Sequence, residues 1–410
     1  MVDALEVWLR DRRVGAITYL GGDRSIFAFD DAYAEDPDRP TLSLAFKSAA
    51  GGLLRDVRST RARVHPFFSN LLPEGPLREY LARRAGVKPI RELHLLAALG
   101  EDLPGAVTIR TARGTALPVE EAMSRSAGGG GATALRFSLA GVQLKFSAVE
   151  KARGGLTIPA HGAGGDWIVK LPSTRFAGVS ENEFSMMSLA RSVGIEVPDT
   201  RLLALDEIEG LPEDIGRLQG AAYAVARFDR PGEGGRLHIE DFAQVFAVFP
   251  EAKYERASYR NIAQVLWRET GEAGLLEFVR RLVFSALIGN ADMHLKNWSL
   301  IYRDGRTPSL APAYDLVSTT AYLPDDKAAL KVARSKAWRD FSEDELAALA
   351  DGAGAPRRMV IKAALATVET FRDVWAREWP HLPIADEVRA SVEAQLDRVP
   401  IAAGAVARPG

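Results

Sequence analysis

The stretch that decides the fold is Asn290-Ala291-Asp292-Met293-His294-Leu295-Lys296-Asn297-Trp298-Ser299, which follows a strongly apolar helical segment. Within it, Asp292 and Asn297 stand five positions apart, the Asp-x-x-x-x-Asn spacing of a kinase catalytic loop. Phosphoryl transfer needs a carboxylate that meets the attacking hydroxyl and a nearby neutral amide that holds Mg²⁺ without adding charge. A helix end followed by a polar loop gives the same spacing by chance, so this motif alone leaves the function open.

A second acidic residue strengthens this interpretation. Asp315, in Ala313-Tyr314-Asp315-Leu316, lies 23 residues after Asp292 and just beyond a short predicted strand, Trp298 to Tyr302. A protein kinase places the Mg²⁺-binding Asp of its DFG motif at the same relative position. The Phe and Gly of that motif are absent here, and a turn aspartate after a proline is the structural alternative.

The apolar run Asp166-Trp167-Ile168-Val169-Lys170 predicts a strand that ends in a lysine. A kinase uses such a lysine, in its Val-Ala-Ile-Lys strand, to contact the phosphates of ATP. Thirteen residues later, Glu183 lies near the start of a predicted helix and would hold Lys170 in place. Both residues also have simpler explanations: a solvated lysine at a strand end, and a capping box formed by Ser180 and Glu183.

A turn of small residues precedes that strand, in Phe137-Ser138-Leu139-Ala140-Gly141-Val142-Gln143-Leu144-Lys145-Phe146. The backbone N–H groups of such a turn could hold phosphates. The segment is neither a Gly-x-Gly-x-x-Gly loop nor a Walker loop. By itself it predicts only a β-hairpin with Lys145 on the surface.

The order of these segments is more informative than any one of them. A small-residue turn, a strand lysine, a helix glutamate, an apolar hinge strand from Tyr223 to Phe228, Asp-x-x-x-x-Asn and a later Asp follow one another as a kinase requires. No purely structural pattern predicts this order. We therefore expect phosphoryl transfer and an α+β, protein-kinase-like fold with two lobes, a sheet-rich N-lobe and a helical C-lobe.

The composition is that of an ordinary globular protein, and 410 residues suffice for two or three domains of about 150 residues. A net charge of −2 argues against a nucleic-acid binder driven by phosphate neutralisation. The absence of Cys excludes disulfides, thiolate zinc sites and a cysteine nucleophile. We expect a cytoplasmic protein, because no signal peptide is recognisable and charged residues interrupt the most apolar stretch, Leu275 to Ile288.

Changes of pattern divide the chain into four parts. Alternating apolar residues near the start predict a small antiparallel sheet, followed by helices, and place an extra β-rich domain at residues 1–112. The run Ala127-Gly128-Gly129-Gly130-Gly131-Ala132 marks a Gly-rich linker at residues 113–134. A kinase N-lobe is expected at residues 135–230. The helical C-lobe is expected at residues 231–410, where the pattern after Asp241 is helical almost to the end.

Several segments resemble the HipA family of toxin kinases more specifically. They are Ser-Leu-Ala-Gly-Val-Gln-Leu-Lys (138–145), Trp-Ile-Val-Lys-Leu-Pro (167–172), Glu-Asn-Glu-Phe (181–184), Val-Ala-Arg-Phe-Asp-Arg (225–230), Asn-Ala-Asp-Met-His-Leu-Lys-Asn-Trp-Ser (290–299) and Leu-Ala-Pro-Ala-Tyr-Asp-Leu (310–316). The N-terminal segments Phe-Phe-Ser-Asn-Leu-Leu-Pro (67–73) and Leu-Gly-Glu-Asp-Leu-Pro-Gly-Ala-Val (99–107) match as well. The resemblance therefore covers nearly the whole chain.

This resemblance implies a serine/threonine-protein kinase toxin of a type II toxin–antitoxin system, which transfers the γ-phosphate of ATP to a protein hydroxyl with Mg²⁺. The family's target class is aminoacyl-tRNA synthetases, with glutamate–tRNA ligase as the default expectation, and the outcome is growth arrest and persistence. The resemblance also implies autophosphorylation at Ser138. It implies neutralisation by a HipB-like helix-turn-helix antitoxin, contact with operator DNA only through that complex, and no membrane contact.

Carried over residue by residue, the resemblance implies that Asp292 is the catalytic base, with Lys170 and Asn297 in the catalytic set and Glu183 supporting Lys170. Asn297 and Asp315 would bind Mg²⁺. The residues implied to contact the nucleotide are Ala140, Gly141, Val142, Gln143, Leu144, Lys145, Lys170, Ala226, Arg227, Phe228, His294, Leu295, Lys296, Asn297, Tyr314 and Asp315.

Two other functions stay open. A small-molecule kinase of the aminoglycoside-phosphotransferase kind shares Asp-x-x-x-x-Asn and the later Asp, although it has no need of the extra N-terminal domain. A co-repressor without catalysis would act through its antitoxin alone, but Lys170, Asp292, Asn297 and Asp315 are all retained. A small helix-turn-helix protein encoded just upstream would favour the toxin.

Overall fold

The structure, a computed structural model, describes residues 4–84, 86–112, 145–151, 155–158, 164–211, 218–232 and 235–406. The predicted Gly-rich linker at 113–134, Ser138 and the predicted phosphate-loop residues Ala140, Gly141, Val142, Gln143 and Leu144 lie outside these residues. None of the described helices is both long enough and apolar enough to span a lipid bilayer.

The N-terminal part, residues 4–112, is built on five strands: β1 Ala4–Leu9, β2 Arg12–Gly21, β3 Arg24–Phe29, β4 Thr60–Arg61 and β5 Val107–Thr111. They form one antiparallel sheet in the order β4-β3-β2-β1-β5. Alternate side chains of β1 are buried, namely Leu5, Val7 and Leu9, as the period of two requires. The predicted small antiparallel sheet is thus confirmed, and β5, which the alternating pattern does not predict, pairs with β1.

Four helices accompany this sheet: α1 Asp31–Ala34, α2 Pro66–Ser69, α3 Gly75–Arg84 and α4 Glu92–Leu99. Pro66 occupies the first turn of α2, where its missing N–H is not needed, and the His65 side chain accepts a hydrogen bond from the Phe67 N–H. Phe67 and Phe68 are fully buried in the same apolar core as Phe27. This packing fixes the course of the segment from Asn70 onward.

The described residues of the middle part form six strands and one helix: β6 Lys145–Glu150, β7 Leu156–Thr157, β8 Trp167–Lys170, β9 Thr200–Leu203, β10 Ile208–Glu209, β11 Ala222–Ala226, and α5 Val179–Ser192. The sheet order is β10-β7-β6-β8-β11-β9, so β8 lies between β6 and β11. The buried side chains Met186, Leu189 and Ala190 of α5 belong to the same core as Tyr223 of β11. Strand β8, which carries Lys170, is therefore hydrogen-bonded to a neighbouring strand on each edge.

The C-terminal part has a small sheet in the order β12-β13-β14, with β12 His238–Asp241, β13 Ser299–Tyr302 and β14 Ser309–Leu310. Its helices are α6 Phe242–Val245, α7 Tyr259–Leu287, α8 Glu343–Ala353, α9 Arg357–Glu378, α10 Asp386–Arg398 and α11 Pro400–Val406. Ser258 caps α7 in a capping box with Asn261, and Gly271, with φ 68°, interrupts its helical backbone. Short 3₁₀ turns occur at Leu44–Phe46, Leu205–Glu207, Pro250–Ala252, Leu295–Asn297, Thr319–Ala321, Trp338–Asp340 and Trp379–His381.

The prediction of an almost continuous helical pattern after Asp241 is wrong for residues 311–342, which form no α-helix. Pro312 has no N–H, and the N–H groups on either side bond to other elements, that of Ala311 to Ser299 O and that of Ala313 to Glu196 O. Tertiary hydrogen bonds therefore replace a local helix here. The α+β class itself is confirmed, and the predicted domain boundaries stay predictions.

A buried polar cluster joins the N-terminal part to the C-terminal sheet. The Ser43 hydroxyl and the Leu44 N–H donate to the Glu240 carboxylate over 2.5 and 3.0 Å, and the Tyr302 hydroxyl donates to it as well. His238 Nε2 lies 2.7 Å from Leu42 O. Burial raises the pKa of Glu240 to about 7 and lowers that of His238 to about 4.

Candidate active site

Lys170, the last residue of β8, forms two ion pairs that connect three of the predicted site residues. Its Nζ lies 2.6 Å from Glu183 Oε1 on α5, and it also pairs with Asp315 Oδ1, 145 positions away in the sequence. The capping-box explanation for Glu183 does not hold, because α5 begins after Gly178 and no side chain caps it. The fold therefore turns the Glu183 carboxylate toward Lys170.

The charges of this cluster are mutually stabilising. Although burial opposes both shifts, the carboxylates raise the pKa of Lys170 and the lysine charges hold the pKa of Asp315 far below its usual range. Lys145 stands directly opposite Lys170 in the register of β6 and β8. Asp315 has φ 62°, a left-handed conformation that few non-glycine residues adopt and that costs backbone energy. The surrounding structure must compensate for this cost, as it often does at functional sites.

The loop between α7 and β13 places Asp292 and Asn297 together. The Asn297 amide nitrogen donates to Asp292 O over 2.9 Å, and the Asp292 N–H donates to Asn290 Oδ1 over 3.1 Å. Asn290 Nδ2 donates in turn to Asp315 O at 3.3 Å. One set of hydrogen bonds therefore links the Asp-x-x-x-x-Asn loop to the later aspartate, as the sequence order predicts.

The Asp292 carboxylate faces a tyrosine that the sequence analysis does not single out. The Tyr254 hydroxyl donates a hydrogen bond to Asp292 Oδ1 over 2.5 Å. The Tyr254 ring packs edge-to-face against the His294 ring, with 4.9 Å between the ring centroids. Burial raises the pKa of Asp292, and the hydrogen bond from Tyr254 opposes that rise. Burial also lowers the pKa of His294 to about 3, so the imidazole is neutral at physiological pH.

Some of the remaining residues predicted to contact the nucleotide form a common wall, whereas another has its side chain in the core. Tyr314 donates its hydroxyl to Lys296 O over 2.8 Å, and its ring lies 5.8 Å from that of Phe228, so these residues share one wall. The Leu295 side chain is fully buried in the C-terminal core, which leaves only its backbone for a ligand. The structure thus brings Lys170, Glu183, Asp292, Asn297 and Asp315 together, whereas the Leu295 side chain lies in the core.

The predicted hinge after β11 is held by the N-terminal part. Arg227 and Arg230 both pair with Asp102 Oδ1, at 3.5 and 3.2 Å, and Asp229 Oδ2 accepts a hydrogen bond from the Gly105 N–H over 2.8 Å. The backbone N–H groups of Ala226 and Arg227 are already bonded within the protein. Two segments singled out for their resemblance, 99–107 and 225–230, therefore contact each other.

Glu74 is a second contribution of the N-terminal part that sequence reasoning misses. Its carboxylate lies 2.8 Å from Lys253 Nζ and 2.6 Å from Lys296 Nζ, beside the Asp-x-x-x-x-Asn loop. Glu74 directly follows the segment 67–73, so the resemblance of that segment was the available signal. Lys253 and Tyr254 lie in a loop with no recognisable motif, and only the fold reveals them.

The donor set suits Mg²⁺ rather than a metal that needs several protein ligands. Among the described residues there is no group of three or more His, Cys, Asp or Glu side chains that could hold a metal. Mg²⁺ needs only one or two protein ligands because water and nucleotide phosphates complete its shell. Asn297 uses its amide nitrogen within the protein, which leaves its oxygen, together with the Asp315 carboxylate, for such an ion.

Comparison with known protein families agrees with this geometry. Residues 137–375 match the HipA-like C-terminal domain, and residues 5–110 match the HipA N-terminal domain. The chain belongs to the HipA family. The resemblance inferred from the sequence motifs is thereby confirmed.

Individual relatives support the same assignment over the full length. A Sinorhizobium fredii protein named "Putative kinase Y4dM" is 54% identical and covers 97% of each chain. The Shewanella oneidensis serine/threonine-protein kinase toxin HipA is 27% identical over 94% of this chain and 92% of its own. The solved Shewanella oneidensis complex of HipA, HipB and operator DNA matches the fold with a TM-score of 0.72 at 24% identity, over 98% of this chain and 96% of that one.

Proposed function

We propose that this HipA-family chain is an ATP- and Mg²⁺-dependent serine/threonine-protein kinase that acts as the toxin of a toxin–antitoxin pair. The observation that carries the proposal is the convergence of Lys170, Glu183 and Asp315 in one ion-pair cluster beside Asp292 and Asn297. A binding module without catalysis would not require a buried glutamate to hold a strand lysine. The kinase names of the full-length relatives support the same class.

The roles of the residues follow from their chemistry. Asp292 would accept the proton of the acceptor hydroxyl, because a carboxylate in a loop anchored by backbone hydrogen bonds can act as a general base. Lys170, held by Glu183, would contact the nucleotide phosphates, while the Asn297 oxygen and the Asp315 carboxylate would hold Mg²⁺. When bound, Mg²⁺ neutralises charge on the β- and γ-phosphates. Lys145 and Lys296 add positive charge around the same space.

The partners are proposed by analogy with the relatives. The Shewanella oneidensis structure contains HipB and operator DNA, so we expect a HipB-like antitoxin here, with DNA contact through that complex. The protein substrate is expected to be an aminoacyl-tRNA synthetase. Ser138 is expected to be an autophosphorylation site, because it matches the family's autophosphorylated serine. A phosphate there would add about −1.5 to −2 charges, and we expect it to repel ATP.

Transfer of radiolabelled phosphate tests this proposal directly. The purified chain is incubated with Mg-ATP labelled at the γ-position and a lysate of its source, and labelled proteins are identified by mass spectrometry. We expect one dominant labelled protein in addition to the chain itself. Label on a small molecule instead of a protein would indicate a small-molecule kinase, and no transfer at all would support the co-repressor.

A further inference from the structure

Glu74, in the N-terminal part, pairs with two lysines that lie on either side of the proposed catalytic centre. Its Oε1 accepts from Lys296, which is adjacent to Asn297, and its Oε2 accepts from Lys253, which is adjacent to Tyr254. Although burial opposes the shift, the two ammonium groups lower the pKa of Glu74 to about 2. Glu74 is therefore an anion throughout the physiological range.

Lys253 and Lys296 are each close in space or in sequence to the proposed catalytic residues. Lys253 O accepts a hydrogen bond from the Leu295 N–H at 3.3 Å, and Tyr254 donates to Asp292. Lys296 Nζ also donates to Asn70 O over 3.1 Å. Glu74 is thus connected to Asp292 through Lys253 and its neighbour Tyr254, and to Asn297 through Lys296.

The segment that carries Glu74 is anchored firmly enough to impose this position. Asn70 is buried, and its Nδ2 donates to Pro66 O over 2.9 Å and to Val248 O over 2.8 Å. Gln244 Nε2 donates to Phe67 O over 3.0 Å. The N-terminal part therefore reaches the catalytic loop through a hydrogen-bonded connection.

The charge balance explains why a carboxylate is needed here. Two ammonium groups that share one carboxylate are close enough to repel each other strongly when that carboxylate is removed. Without the anion, Lys253 and Lys296 would move apart, and the backbone segments that carry them would shift. With it, the pair contributes a single net positive charge at a defined place.

We infer that Glu74 is a positioning residue for phosphoryl transfer, so that the N-terminal part completes the active site. This inference rests on the proposed kinase function. It predicts that Glu74 acts on the transfer step through Lys296 and the loop, and contributes little to nucleotide affinity. Under the proposed function, ADP binding depends mainly on the cluster of Lys170, Glu183 and Asp315, whereas Glu74 pairs with Lys253 and Lys296.

The test compares Glu74→Gln with Glu269→Gln in the full chain. Glu269 is a matched control because it also pairs across the two parts, with Lys47 at 2.6 Å, but contacts no residue of the catalytic loop. We expect Glu74→Gln to lower kcat for phosphate transfer by about tenfold to a hundredfold, as small displacements in active sites do. ADP affinity by calorimetry should change less than about twofold, and the control should match the wild type.

A double variant distinguishes positioning from a general loss of structure. If Glu74 acts through Lys296, the Glu74→Gln, Lys296→Met chain should be no slower than Lys296→Met alone. Fully additive losses, or equal effects of Glu74→Gln and Glu269→Gln, would overturn the inference while leaving the kinase proposal intact.

Hydrogen exchange gives a readout that does not depend on activity. Amide exchange in residues 292–297 should accelerate in Glu74→Gln and stay unchanged in Glu269→Gln. Unchanged exchange in both variants would contradict the positioning role, whether or not the wild-type chain transfers phosphate. A wild-type chain that transfers no phosphate would contradict only the proposed function.

Discussion

At the scale of single residues, Asp292 offers the most direct test of catalysis. We expect Asp292→Asn to lower phosphate transfer by about two to four powers of ten, because an amide cannot accept the proton of the acceptor hydroxyl. The fold should persist, since Asp292 is held in the loop by its backbone N–H and carbonyl and the Asn oxygen can still accept from Tyr254. Transfer assays and thermal unfolding check both statements, and wild-type growth arrest by this variant at equal expression would contradict the assignment.

Asp315 should affect nucleotide binding mainly when Mg²⁺ is present. The Asp315→Ala change removes a proposed metal ligand but leaves Lys170 its pairing with Glu183. We expect ATP to bind about tenfold more weakly with Mg²⁺ and nearly normally without it, as measured by calorimetry. Asp304→Ala, in an exposed turn after β13, is the control. A Mg²⁺ dependence equal to that of the wild type would make Asp315 a structural turn residue.

Residue identities could be predicted where spacing carries chemistry. The pairing of Lys170 with Glu183 follows from a strand lysine and a helix residue at a suitable distance along the chain. The alternative capping role was equally compatible with the sequence, and only the position of Gly178 at the start of α5 decides between them. Lys253 and Tyr254 had no such signal because their partners are distant in the sequence, and the only signal for Glu74 was the resemblance of the preceding segment, 67–73.

At the scale of secondary-structure elements, the end of α7 controls the position of the catalytic loop. Gly289 has φ 66°, and a Cβ there would lie 1.9 Å from Thr320 Oγ1. We expect Gly289→Ala to cost about 1–3 kcal/mol of stability and to reduce transfer, because the Asn290–Asp292 backbone must shift. Chemical denaturation and the transfer assay measure the two effects.

Gly354 provides the matched control for this change. It follows α8 in a similar left-handed conformation, with φ 73°, but a Cβ there would meet nothing within 4 Å. Gly354→Ala should therefore show only the backbone strain and leave transfer unchanged. Equal destabilisation by the two substitutions would show that crowding against Thr320 is unimportant.

Elements with a regular period were the predictable ones. Strand β8 and helix α5 follow from apolar runs and their spacing, and the structure contains both. Residues 311–342 were not predictable in this way, because their backbone groups bond to distant elements such as Ser299 and Glu196. A local pattern cannot report hydrogen bonds of that kind.

At the scale of the whole molecule, Glu240 makes the junction of the N-terminal and C-terminal parts sensitive to pH. Its pKa rises from 4.5 in the unfolded chain to about 7 in the fold, because burial disfavours the charged form. A raised carboxyl pKa stabilises the fold fully below pH 4.5, and this stabilisation is lost as the pH rises through about 7. His238, with its lowered pKa, acts in the opposite direction, and its stabilisation is lost as the pH falls from 6.5 toward about 4.

The Glu240→Gln variant isolates the carboxyl contribution. Relative to wild type, we expect its stability to improve by about 1–3 kcal/mol as the pH rises from 5 to 8, since the amide does not ionise. Denaturant unfolding at several pH values measures the difference. Glu269 also joins the N-terminal and C-terminal parts, through an ion pair with Lys47. The Glu269→Gln variant should show the same dependence of stability on pH as the wild type. Parallel profiles for all three proteins would exclude Glu240 as the titrating group.

The balanced charge of the whole chain predicts weak binding to DNA. With a net charge of −2, the purified chain should bind operator DNA no more tightly than micromolar at physiological salt, as measured by fluorescence anisotropy. Addition of the helix-turn-helix antitoxin should convert this to tight binding. Nanomolar binding by the chain alone would contradict the proposed dependence on the antitoxin.

The sequence by itself determined the family, the α+β class and the order of the chemical groups, because these depend on local spacing and period. Only the tertiary structure decided that Glu183 holds Lys170, that Asp102 clamps the hinge and that Glu74 reaches the catalytic loop. The physical reason is that ion pairs and hydrogen bonds act over a few ångströms in space. Residues on different elements, such as Glu74 and Lys296, become partners only when packing brings them together.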